Sequence, residues 1–144
     1  MSSISEISTF CKSYFDYSLS FIGGEFIVGF PTSIKDLPLT RPTVAMEFKT
    51  LSGATGNIRR YQGKKANVNI YGIPFSVMLR FSACVPSSGS GMDCHELIEL
   101  FINSLIHFPM GDITKIEIGE VSYNRSLSAL VIPLDFSINL VIDS

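Results

Sequence analysis

Residues 130–142, LVIPLDFSINLVI, carry an apolar side chain at every second position: Leu130, Ile132, Leu134, Phe136, Ile138, Leu140 and Ile142. Successive residues of a strand point to opposite faces, so this unbroken period of two predicts one strand with one buried face. The intervening residues include Asp135, Ser137, Asn139 and Val141, mostly polar, and are expected to meet water, a helix end or another subunit. Thirteen residues at about 3.4 Å each reach roughly 44 Å, beyond the common strand length. A bend near Pro133 or an overhang beyond the domain is therefore expected. Proline cannot donate to a ladder, so Pro133 also marks an edge or a bulge.

Working outward, Ile113 to Val121 reads as the partner strand, joined to the C-terminal strand through a turn at SYNRS, residues 122–126. Residues 75–85 alternate again, with Phe75, Val77, Leu79, Phe81, Ala83 and Val85 on one side, and stop at Pro86. Residues 43–50 alternate as a half-buried strand, and residues 25–30 form a short one stopped by Pro31. Between these, residues 31–42 with three prolines read as a loop, and residues 51–67, LSGATGNIRRYQGKKAN, as a long loop or mobile hairpin tip.

Two stretches have the helical spacing of three and four. Ile4, Ile7, Cys11, Tyr14, Phe15 and Leu19 predict a helix over 4–19, ended by Gly23 and Gly24. Leu97, Ile98, Phe101, Ile102, Leu105 and Phe108 mark a second, with Asp93 and Glu96 as a capping pair at its start and Pro109 closing it. Hairpin strands with helices set apart predict an α+β domain spanning 1–144: a mostly antiparallel sheet of about five strands with two helices on one face.

At 144 residues, with 46% apolar residues and a mean hydropathy of +0.33, the chain is sized for one core. Its apolar runs are too short to cross a bilayer. No apolar leader follows the first methionine, so synthesis in the cytoplasm is expected, with Cys11, Cys84 and Cys94 reduced. Charge is unevenly spread. Residues 48–80 hold Lys49, Arg59, Arg60, Lys64, Lys65 and Arg80 with no acid, whereas residues 92–144 hold eight acids against Lys115 and Arg125. Such segments can meet within one subunit or between copies.

The stretch FSACVPSSGSGMDCHELIEL, residues 81–100, groups Cys84, Cys94 and His95. Zinc wants four ligands, and His107 lies about three helical turns from His95, so the group reads as packing and capping. At a helix N-terminus Cys94 would also be placed for a lowered thiol pKa. No nucleotide-binding, hydrolase, zinc-protease or EF-hand motif is present, and no cofactor or catalytic residue is assigned. Beside the basic stretch, Tyr61 and Tyr71 are too few to predict sequence reading of nucleic acid. Non-specific phosphate contact by Arg59, Arg60, Lys64 and Lys65 stays open.

In the order PTVAMEFKTLSG, a Gly-rich basic stretch, YGIPFSVMLRFSACVP, MDCHELIELFINSLI and YNRSLSALVIPLDFSINLVI, the chain resembles tail terminator proteins of phage tails and phage-tail-like bacteriocin particles, also called tail completion or collar proteins. The resemblance implies a structural protein, not an enzyme. It implies a ring, typically hexameric, that sits on the last ring of tail-tube subunits, ends polymerisation and anchors sheath or connector. Arg59, Arg60, Lys64 and Lys65 are then expected to face the tube or its lumen, with non-specific DNA contact there. Asp135, Ser137, Asn139 and Val141 are expected at the subunit contact. Alternatives are another neck, connector or baseplate adaptor, or a small-ligand or enzymatic domain using Cys84, Cys94 and His95.

Overall fold

The alternating C-terminal stretch forms one long strand, and the sheet is organised along it. A computed structural model describes residues 4–29, 39–53, 59–87, 93–109 and 111–143. The chain runs α1 (Ile4–Ser20), β1 (Glu25–Val28), β2 (Thr43–Gly53), β3 (Arg60–Lys65), β4 (Val68–Pro86), α2 (Cys94–Ile106), β5 (Asp112–Ile118), β6 (Ser122–Asn124) and β7 (Ala129–Asp143). The sheet order is β1-β2-β4-β7-β5, with β3 pairing β4 and β6 pairing β7. Every pairing is antiparallel except β1 with β2. The α+β architecture is the expected one, with seven strands in place of about five.

One additional strand lies where a long loop or hairpin tip is expected, the other where a turn is. Residues 60–65 pair with the start of β4, from Arg60 opposite Gly72 to Lys65 opposite Val68. The two-residue turn between them holds Ala66 and Asn67 at φ 52° and 65°, the signs that a tight, twist-matched hairpin turn requires. All of β3 is exposed or half-buried, so no apolar alternation announced it. Likewise Ser122–Asn124 is a strand, and the turn follows it at residues 125–128, where Asn124 Oδ1 accepts from the Leu127 N–H at 3.1 Å. The proline-rich connector expected at 31–42 lies, up to residue 38, outside the described residues.

β7 does not overhang. It pairs with β4 along its whole length, from Gly72 opposite Asp143 to Pro86 opposite Ala129; the element that reaches past the sheet is β4. Pro133 sits in an interior strand, opposite Ser82, and its missing N–H is accommodated on the other side by a bulge. Ile118 pairs with Leu134 and Ser122 with Val131, so the edge ribbon spends one residue more than β7 between those points. Within that bulge the Gly119 N–H donates to the Pro133 carbonyl at 2.9 Å. A Cβ on Gly119 would stand 2.7 Å from Pro133 Cγ, which is why the position takes glycine.

Both helices pack on the face built from the odd residues of β4 and the even residues of β7. Ile7, Cys11, Phe15 and Leu19 of α1 and Leu97, Phe101 and Leu105 of α2 enter one cluster with Phe26, Met46, Leu79, Phe81, Leu134 and Phe136. At its centre the Phe101 ring lies 4.5 Å from Phe15 and 4.7 Å from Phe81, distances at which aromatic pairs add to simple burial. Tyr14 donates its hydroxyl to the Ser104 carbonyl at 2.7 Å, tying α1 to α2. Asp93 caps α2 as expected, its carboxylate accepting from the Glu96 N–H at 2.8 Å. At one end of the other face, a smaller cluster of Leu39, Cys84, Leu127, Ala129 and Val131 is buried. No helix among the described residues is long and apolar enough to cross a membrane.

Candidate interaction surfaces

The basic stretch is carried on a projecting hairpin. Gly72 is the last β4 residue paired with β7, so Val68–Tyr71 and the β3 residues beside them extend beyond the rest of the sheet, by roughly 13 Å at strand rise. Facing residues of an antiparallel pair share a face. The register slips at Gln62, between the Tyr61–Tyr71 and Gly63–Ile70 pairs. That bulge puts Arg60 and Lys65 on one face of the arm, and Tyr61 and Lys64 on the other. The Arg59 guanidinium lies 4.4 Å from the centroid of the Tyr71 ring, and Tyr61 packs edge-on to Tyr71 at 5.9 Å. With Arg59 over its ring, Tyr71 offers less face for base stacking than a bare platform would.

Among the described residues none of Arg59, Arg60, Lys64 and Lys65 takes part in a salt bridge. The acidic and basic segments meet within the subunit elsewhere, on the sheet face away from the helices. Arg80 donates two hydrogen bonds to Asp135, at 2.8 and 3.1 Å. Glu47 and Glu117 flank that pair in register, forming a transverse row of charge across β2, β4, β7 and β5. The hydrogen bond from Arg80, with its charge, holds the Asp135 carboxyl below the ordinary aspartate range.

The residues expected at a subunit contact all lie on this same face. Asp135 is engaged by Arg80, Ser137 is buried, Asn139 is exposed and Val141 half-buried. Arg60, Phe75, Asp112 and Asn139 line a cleft of about 450 Å³ that opens there.

Cys94 lies near Cys84, bonded to the backbone of the adjacent Val85, but the three side chains have different surroundings. Cys84 belongs to the small cluster on the open face and Cys94 to the main core, while His95 is exposed. Burial pushes the Cys84 thiol up to about 12, with Cys94 adding to the effect. Burial also raises Cys94, outweighing the opposing hydrogen bond with the Val85 backbone, so the lowered value a helix N-terminus might suggest is not realised. Among the described residues no group of three or more His, Cys, Asp or Glu side chains is placed to hold a metal ion.

The sheet edges come from the strand order, which the sequence pattern does not encode. β1 covers β2 only over Thr43–Met46, leaving residues 47–53 without an outer partner among the described residues. β5 ends the strand order on the other side. Phe48 and Leu51 on one edge, and Ile113, Ile116 and Ile118 on the other, are 37–45% exposed. All five stand on the helix-covered face, because they pair with Leu79, Val77, Ile138, Phe136 and Leu134 of the core. The sequence reads Phe48, Ile113, Ile116 and Ile118 as strand and Leu51 as the start of the following loop, and it does not say which strand lies outermost. No protein-family model matches the chain, and no curated protein sequence matches it.

Proposed function

We propose that the protein is a structural ring component that caps the end of a phage-type tail tube, stops its polymerisation and anchors a sheath or connector. The observation that carries this reading is the β3–β4 arm: a hairpin outside the core, with four cations that have no acidic partner among the described residues and two tyrosines at its base. Cations not neutralised within the chain keep their reach for an acidic partner surface, and tyrosine with arginine is the composition that anchors protein interfaces. A ring is closed by two different patches on each subunit, repeated by rotation, and six copies is the stoichiometry the resemblance implies. Where the tube lumen holds DNA, the same cations make non-specific, salt-sensitive phosphate contacts.

The test is tube capping. Tail tubes are polymerised with the protein and imaged by negative stain, scoring ring-capped ends and tube length. Replacing Arg59, Arg60, Lys64 and Lys65 by Glu is expected to lower capping about tenfold or more, with the circular-dichroism melt unchanged because the arm lies outside the core. Wild-type capping by this variant would discard the arm as the docking element. A wild-type protein that never marks tube ends would discard the capping role.

A further inference from the structure

We infer that copies of this chain join edge to edge, β5 of one, which has no outer partner among the described residues, pairing antiparallel with residues 47–53 of β2 in the next. The inference deepens the ring reading and rests on it.

Strand direction is the first support. β2 and β4, β4 and β7, and β7 and β5 are successive antiparallel neighbours, so β5 runs opposite to β2 within one chain. Two copies in the same orientation therefore present antiparallel edges to each other, with their helices on the same side. That is the relation a rotation about a ring axis produces, using two different patches.

The edges also match in pattern. Each offers seven residues, 47–53 and 112–118, and each has one register slip, after Phe48 and after Ile113. With Ile118 beside Phe48 and, past the extra residue of the β2 slip at Lys49, Ile116 beside Leu51, the half-exposed apolar residues of both edges join in one row on the helix-covered face. On the opposite face the same register sets Glu117 beside Lys49.

Charge selects this partner over a symmetric one. β5 carries Asp112 and Glu117 against Lys115, with Glu120 just beyond. A β5–β5 dimer would bring two net-negative edges together, whereas the β2 edge balances Glu47 with Lys49 and is followed by Arg60. Main-chain pairing along an open edge supplies affinity, and the side-chain row supplies register.

Cysteine cross-linking tests the pairing, because the native Cys11, Cys84 and Cys94 are buried and free. A variant with Lys49→Cys and Glu117→Cys is expected to give, under mild oxidation, a non-reducing gel ladder rising through successive multimers, while each single variant stays at the monomer band. A Glu117→Cys dimer would assign a symmetric β5 contact and overturn the inference. Ring mass by light scattering with no ladder from the double variant would overturn the edge pairing and leave the ring reading standing. Monomer mass at every concentration, with no ladder and no marked tube ends, would overturn both.

Ile116→Lys with Ile118→Lys gives a second readout, since both positions are exposed enough to leave the core intact. Folded protein shifted from ring mass to the 15.8 kDa monomer is the expected result. If wild type is itself a monomer and these changes abolish only tube attachment, the edge takes a strand of the tube protein and the inference fails.

Discussion

Removing the ring at the centre of the helix–sheet interface gives the most direct test of how the layers pack. Phe101 is fully buried, and its ring contacts Phe15 from α1 at 4.5 Å and Phe81 from β4 at 4.7 Å. Phe101→Ala therefore leaves a void bounded by three elements that hold one another in place, with little room to collapse. Such a truncation costs about 3–5 kcal/mol, a large share of the roughly 5–15 kcal/mol that stabilises a domain. Unfolding entropy is about 2.1 cal/mol/K per residue, or roughly 0.3 kcal/mol/K for a chain of this length, so the melting temperature should fall by about 10–16 °C. Phe21→Ala is the matched control: the same chemical change at a side chain that is 73% exposed, where a loss within about 0.5 kcal/mol is expected. Urea unfolding followed by circular dichroism at one protein concentration measures both. A Phe101→Ala loss below about 1 kcal/mol, or an equal loss in Phe21→Ala, would refute the packing of the two helices described above.

Three further outcomes follow from single contacts. Asp93→Ala removes the acceptor for the Glu96 N–H and should cost about 1 kcal/mol in urea unfolding with α2 still formed; no loss would mean that the helix start is held otherwise. Asp135 is depressed in the folded state by Arg80; its contribution is fully present above the unfolded aspartate value of about 3.9 and is lost as pH falls through the folded one. Because the pair is partly solvent-exposed, that contribution is about 0.5–1 kcal/mol, and urea midpoints between pH 7 and pH 3 should fall less steeply in Asp135→Asn than in wild type. With Cys11 and Cys84 pushed up to about 12 by burial and Cys94 raised by the same cause, thiol reagents at pH 8 should label none of the three in native protein and all three in denaturant. Rapid stoichiometric labelling of Cys94 in native protein would reopen a chemical role at the start of α2.

Each element that buries one face is legible in its own residues. β7, the Phe75–Val85 part of β4 and both helices announce themselves because core burial repeats a side-chain preference at the period of the element, two for strands and three to four for helices. Pro133 marked an edge or a bulge because a residue with no N–H cannot sit in an undisturbed ladder, and the assembled sheet has the bulge. Tertiary structure alone decided the rest. β3 carries no periodic signal, since neither of its faces is buried; it is a strand because Ala66 and Asn67 turn the chain back onto β4. Strand alternation alone would set Arg60 on the face of Lys64; the slip at Gln62 sets it with Lys65 instead. Ile113, Ile116 and Ile118 read like any core strand, and their half exposure comes from lying on the outermost strand. Strand order depends on pairings between residues far apart in the chain, which no local pattern encodes, so the edges open to a neighbour become visible only once the sheet is assembled.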